Sequence, residues 1–533
     1  MTTLSSLVKN GQQLQLQAGV TAINVGDLVQ IGSWLGQAYP VKIMDYATQA
    51  AAGAILGDTV TAATGSGADR VPVLLCKDGT YLVAGGLSNA VILKRSASGA
   101  ALSSVTTGVA LITNMFFLSN GLVCIVGLSA GLDTAANVVF QIYDANLNLV
   151  TAVTTVGAYF SQARQYGIGP HGIPLSGGGF AITYVVSANT SVNLAVYSNT
   201  GAQVLAPTAV YTYTAGDSMR SRLAQLQNGD LVLGMSYTNT GQTAGSFSFM
   251  VLTTAGAVVV ANTVIASPAY PLWVEISVLG NVFCIGGEMQ QCGTSAPFSY
   301  IGVYNSTGAL QGSLHTGSSG TQSSGLFGTN LKIINDGASL FWIVGQLDNL
   351  LMSFTTGGVG TVYTNLSPLA STGVASAVDM TLSSDGFLLI ITAGQNTASD
   401  PVYYSVVEVP NASLGTTYPS QIVALTQLGT ETSGLAGPAI LSAGDFTFLC
   451  INDQAGSINI IKFLASAIIG VSQTAVAAGN AGTLINVIAG PGSYPINSIL
   501  GETGGVSYNH TSASPIGGAG SMFTNGVTIT TAA

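Results

Sequence analysis

The sequence predicts an all-β chain, a β-propeller of seven or eight four-stranded blades. Three observations point there: glycine-bearing turns recur through the middle of the chain, each turn joins two short apolar strands, and charged side chains are scarce. Tandem β-sandwiches are the alternative, because the same short strands could close in pairs.

The turns read Lys77-Asp78-Gly79, Ser119-Asn120-Gly121, Ser176-Gly177-Gly178, Gln227-Asn228-Gly229, Leu279-Gly280-Asn281, Asn335-Asp336-Gly337, Ser384-Asp385-Gly386 and Ala443-Gly444-Asp445. Asn-Gly and Asp-Gly supply the positive φ angles of tight hairpins. The glycines are spaced from 42 residues (Gly79 to Gly121) to 58 (Gly386 to Gly444). That period is too long for one coil of a β-helix and suits a four-stranded blade.

An apolar run follows each turn, as in Leu122-Val123-Cys124-Ile125-Val126 and Leu340-Phe341-Trp342-Ile343-Val344. Near-continuous apolar runs imply strands covered on both faces. A third strand then enters a second turn, as in Val196-Tyr197-Ser198-Asn199-Thr200-Gly201. Meanders in series cannot each bury two faces alone, and radial stacking solves that problem. The propeller is expected over residues 65–466.

Residues 1–64 are read as an attachment or docking segment, with a short helix over residues 43–50. Residues 467–533 are a Gly-, Ala- and Thr-rich β segment with too few large side chains for a core of its own, so they are expected to pack on the propeller or on another copy.

Charged residues are 6% of the chain, against about 25% in ordinary soluble domains. Ser, Thr, Asn, Gln and Gly must make most of the wet surface. No run approaches the roughly 20 apolar residues of a spanning helix, and no secretory signal is readable at the amino terminus. The formal net charge is −10 with no cluster of Lys or Arg, so neither nucleic acid nor membrane insertion is expected. Cys76, Cys124, Cys284, Cys292 and Cys450 contain no CxxC pair and read as small buried thiols, with a Cys284–Cys292 disulfide as an unsupported alternative. The three histidines lack zinc spacing. No cofactor and no metal is expected.

Counting seven residues back from the turn glycines gives a polar column: Asn114, His171, Arg222, Asn330 and Asp379, with Glu275 entering through a slip of one or two residues at the shortened Leu279-Gly280 turn. Pro72 and Gly437 complete it. If the strand before each turn is innermost, these groups converge on a central funnel. Arg222 suits a carboxylate in fork geometry, and Glu275 and Asp379 suit acid and base work on a glycan. A wet channel mouth is polar with or without a ligand, so this ring is a binding candidate and no residue is assigned a catalytic role. Tyr211, Tyr213, Trp273 and Tyr403 are candidate aromatic contacts, since their faces can stack on sugar rings.

The segment Asn24-Val25-Gly26-Asp27-Leu28-Val29 with Ala38-Tyr39-Pro40-Val41, and the tail from Ile469-Gly470-Val471 to Gly504-Gly505-Val506-Ser507-Tyr508, resemble the terminal regions of bacteriophage tail-fibre and spike proteins. The resemblance implies a virion component made in the host cytoplasm, often a trimeric homo-oligomer, joined to other virion proteins through its amino-terminal segment. The function expected is that of a non-enzymatic fibre or spike protein binding a host-surface glycan or protein. The alternatives are a purely structural virion decoration and a propeller-type capsule glycanase.

Overall fold

A computed structural model describes the greater part of residues 72–464, apart from several connecting loops, together with short strands in the two ends; side-chain burial is described between residues 72 and 407. The architecture is all-β. Eight sheets follow one another along the chain, seven of four strands in meander order and an eighth of three. Their first strands are Val73–Leu75, Leu111–Phe117, His171–Pro174, Gly216–Gln225, Glu275–Leu279, Leu331–Asn335, Ser376–Leu382 and Ala439–Ser442. Each lies beside the next, and Ala439–Ser442 lies beside Val73–Leu75. The circle therefore closes at eight blades, which sets aside the tandem sandwiches.

The turn chemistry explains the hairpins. Gly121, Gly178, Gly229, Gly280 and Gly337 all have positive φ, between 65° and 94°. Gly79, Gly386 and Gly444 lie outside the described residues.

The core is a series of dry layers between neighbouring blades. Second strands such as Val123–Leu128 and Phe180–Val185 are buried at every position, because one face meets the blade before and the other the blade after. Two layers use the same aromatic triad. Between blades 2 and 3, Phe140 meets Phe180 edge-on at 5.0 Å while Phe180 stacks on Tyr197 at 5.4 Å and 20°. Between blades 4 and 5, Phe249 meets Phe283 at 5.1 Å while Phe283 stacks on Tyr304 at 5.7 Å and 21°. Burying each ring stabilises by about 1.5–3 kcal/mol.

Outermost strands are wetter, and their pairing is irregular. In blades 1 to 5 and 7 the ladder between third and fourth strands shifts register at least once, which bends and twists the rim strand. Blade 6 ends in a four-residue strand, Gly360–Tyr363, with no shift.

The two ends of the chain come together. Gln13–Gln17, Leu484–Ala489, Ile468–Ser472, Leu28–Ile31 and Ala38–Val41 form one five-stranded sheet in that order. The helix expected over residues 43–50 lies outside the described residues. Cys76, Cys124 and Cys284 are buried free thiols, so Cys284 is not in a disulfide; burial pushes the Cys124 and Cys284 thiols far up. Among the described residues no helix is long and apolar enough to cross a membrane, and no three metal-ligating side chains are grouped.

Candidate functional site

The inner hairpins fix where the polar column falls. Their last paired residues are Leu75↔Tyr81, Phe117↔Val123, Pro174↔Phe180, Gln225↔Leu231, Asn335↔Phe341, Leu382↔Leu388 and Ser442↔Phe448, so the connection has one length in seven blades. Blade 5 differs, turning directly from Leu279 to Val282. Three residues before the last pair stand Asn114, His171, Arg222 and Asp379, as the sequence placed them. Glu275 joins them: it pairs with Gly286 as Arg222 pairs with Gly234.

Blade 6 corrects the column. Asn330 lies outside the described residues, and the residue at its register position is Lys332, paired with Val344. The glycine of Asn335-Asp336-Gly337 sits two places earlier in its turn than Gly121, Gly178 or Gly229, so a count from the glycine lands two residues short. Asp336 makes that turn possible, because its Oδ1 accepts the backbone N–H groups of Ala338, Ser339 and Leu340 at 2.8–2.9 Å. The same displacement at Gly444 replaces Gly437 by Ala439, paired with Ile451.

Each polar member reaches toward the next blade. Asn114 Oδ1 accepts the Gly172 N–H at 2.9 Å, and Gly172 directly follows His171. His171 Nδ1 accepts the Leu223 N–H at 3.2 Å, and Leu223 directly follows Arg222. An imidazole nitrogen that accepts is unprotonated, so the neutral ring carries its proton on Nε2. These two side chains bind backbone and lock blades together.

The other half of the ring is ionic. Burial pulls the Arg222 guanidinium down to about 10 while the charge of Glu275 on the next blade opposes the shift; it remains a cation at neutral pH. Lys332 Nζ stands 3.5 Å from Glu275 Oε1 and 3.2 Å from Asp379 Oδ1. Glu275 and Asp379 are more than nine-tenths buried, at 8% and 5% exposure. Charge thus alternates around four consecutive blades: Arg222, Glu275, Lys332, Asp379.

Close approach of the blades is built in by glycine. A Cβ at Gly234 would stand 2.7 Å from Ile276 and 2.8 Å from Val274, the residues flanking Glu275; one at Gly286 would stand 2.5 Å from Leu331 and 3.1 Å from Ile333, flanking Lys332. The absent side chains let each first strand carry its charged residue up to its neighbour.

The aromatic candidates are dispersed. Tyr211 and Tyr213 lie half-buried at the seam between blades 3 and 4, not in the ring. Tyr403 is on the third strand of blade 7, paired with Thr392 and Gln427. Trp273 lies outside the described residues. Over the short blade-5 hairpin and the turns beside it lies a hollow of about 530 Å³ lined by Gln225, Gln227, Leu279, Ala338 and Thr356 among others, with no charged side chain.

Neither a protein-family model nor a curated protein matches the chain. Among solved structures it is similar to an ulvan lyase of polysaccharide lyase family PL25, bound to a GlcA–Rha3S unit, with 9% identity over 76% of this chain and 95% of that one at a TM-score of 0.41. It is similar to the Dos1 propeller, with 10% identity over 76% and 94% at 0.44. A third is the α-L-arabinofuranosidase Arb93A of Fusarium graminearum, with 12% identity over 55% and 92% at 0.32. The expectation of a chain without enzymatic activity is corrected on this finding: the similar structures include a polysaccharide lyase, an arabinofuranosidase, a puromycin hydrolase and a streptogramin B lyase. What this chain shares with them is the β-propeller fold.

Proposed function

We propose that this propeller cleaves a glycosidic bond of a polysaccharide at Glu275, Lys332 and Asp379, and that it is carried on a virion whose host is coated with that polysaccharide. One observation supports the reading above the rest: two buried carboxylates from different blades converge on a single ammonium. The ammonium holds the two contacting oxygens no more than about 7 Å apart, a range that includes the roughly 5–5.5 Å carboxyl separation of retaining glycosidases and touches the lower edge of the inverting range. The place on a virion rests on the tail-fibre resemblance of the two ends.

The neighbours of each carboxylate divide the roles. Glu275 lies between two cations, Arg222 and Lys332, which favour its ionised form. It is the nucleophile or base. Asp379 has Lys332 on one side and the uncharged Ala439 at the register position of the next blade. With Glu275 in that role, Asp379 is the partner carboxyl assigned to the leaving oxygen.

The test is release of reducing ends from a panel of capsular polysaccharides. Wild-type protein is expected to depolymerise at least one, and Glu275→Gln to lose the activity. Asp379→Asn is expected to lose it on the polymer yet keep it on an aryl glycoside of the same sugar, whose leaving group needs no protonation. Saturable binding to the polymers without sugar release by the wild type would overturn the reading.

A further inference from the structure

We infer that the seam between blades 3 and 4 is a sugar-binding track that leads a glycan chain toward the ring, an inference that rests on the glycan-cleaving reading above. Tyr211 is the penultimate residue of the rim strand Gln203–Thr212, Tyr213 directly follows that strand, and Tyr237 lies near the end of the second strand of blade 4, Leu231–Asn239. The Tyr211 and Tyr213 rings are stacked at 6.1 Å and 20°, and Tyr213 meets Tyr237 edge-on at 5.2 Å. The three rings descend from rim to interior across one seam.

Their exposure sets them apart from the aromatic triad between blades 2 and 3. Phe140, Phe180 and Tyr197 between blades 2 and 3 are at most 2% exposed, whereas Tyr211, Tyr213 and Tyr237 are all half-buried. Among the described residues no other seam carries three half-buried tyrosines in ring contact. Half-buried tyrosines packed on an apolar cluster beside the exposed Thr212 form an amphipathic seam, which suits the apolar face and hydroxyl edge of a pyranose better than an apolar peptide.

The track points at the ring. Tyr237 pairs with Met219 of the first strand of blade 4, and Arg222 lies three residues further along it, about 10 Å at strand rise. The Tyr213 backbone is pinned by its N–H donating to Thr190 O at 2.9 Å, so the inner step of the stair is held before any ligand arrives. Burial pushes the Tyr213 phenol up from its ordinary value. The occupant is a polysaccharide of at least three residues, stacked on Tyr211 and Tyr213 and entering the channel past Tyr237.

The experiment uses the full chain with the polymer that the wild type depolymerises and with the shortest oligosaccharide it still cleaves. Tyr211→Ala and Tyr213→Ala are expected to raise KM on the polymer about tenfold with kcat unchanged, to leave the oligosaccharide kinetics alone, and to be rescued by Phe at the same positions. Unchanged KM on the polymer, or equal losses on both substrates with a lowered melting temperature, would overturn the track while the cleavage reading stands. If the wild type cleaves nothing, affinity electrophoresis against the same polymers separates the two ideas. Retardation that disappears in the double Ala variant supports the track alone, and no retardation of the wild type overturns it.

Discussion

Lys332 Nζ stands 3.2 Å from Asp379 Oδ1 on the next blade and 3.5 Å from Glu275 Oε1 on the blade before, so one ammonium ties three consecutive blades at their first strands. Removing it leaves two buried carboxylates facing the same space. Lys332→Met is expected to destabilise by about 3–5 kcal/mol, the usual consequence of breaking a buried pair from one side. Neutralising all three groups, Glu275→Gln with Lys332→Met and Asp379→Asn, is expected to recover most of that loss. Urea unfolding midpoints of the single and triple variants check it.

The two aromatic triads predict matched losses. Phe140→Ala and Phe249→Ala each remove the ring that meets a Phe edge-on and a Tyr beyond it. Each is expected to cost about 3–5 kcal/mol, and the double variant to be additive within about 0.5 kcal/mol, because the sites share no neighbour. Chemical denaturation of the three variants measures both quantities.

Two glycines with similar positive φ separate backbone strain from crowding. Gly229 has φ 94°, and a Cβ there would meet nothing within 4 Å, so Gly229→Ala is expected to cost only the left-handed penalty of about 1–2 kcal/mol. Gly358 has φ 75°, and a Cβ there would overlap the Gln311 carbonyl of the neighbouring blade. Gly358→Ala is therefore expected to lose about 1–3 kcal/mol more. Thermal melts of the pair give the difference.

Burial pushes the phenols of Tyr143, Tyr197 and Tyr304 up to about 12 from an ordinary value of 10.0. A folded-state value above the unfolded one means that this contribution is fully present below pH 10 and lost as pH rises toward 12. Melting temperature is expected to be insensitive to these groups up to pH 10 and to fall above it. Tyr197→Phe with Tyr304→Phe should make that alkaline decline shallower, which melts across the pH series will show.

Much of the fold is legible in sequence because hairpin chemistry is local. Asn120-Gly121 and Asn228-Gly229 announce their turns, and the spacing between them announces a blade. Asn114, His171, Arg222 and Asp379 can be aligned because their glycines stand at one place in hairpins of one length. Lys332 escapes the count where Asp336 reorganises the turn and moves the glycine; counting from the strand ends would find it, but strand ends are not marked by residue type. Tyr211 and Tyr213 are two apart and can be paired by alternation. Tyr237 cannot be joined to them, since its place beside Tyr213 depends on how one blade leans on the next. The cross-blade hydrogen bonds of Asn114 and His171 end on backbone N–H groups, which every residue but proline has, so no side-chain pattern betrays them.

The shifted registers along the perimeter govern how such a chain behaves in crowded solution. With charged side chains at 6%, it has few lysines to repel a neighbour, and Val204, Val258 and Val259 are open to water on the outer strands. A straight strand of that kind would template the edge of a second particle. Displaced by bulges, its donors and acceptors no longer line up with a foreign ladder, so geometry takes over the anti-aggregation duty that charge performs elsewhere.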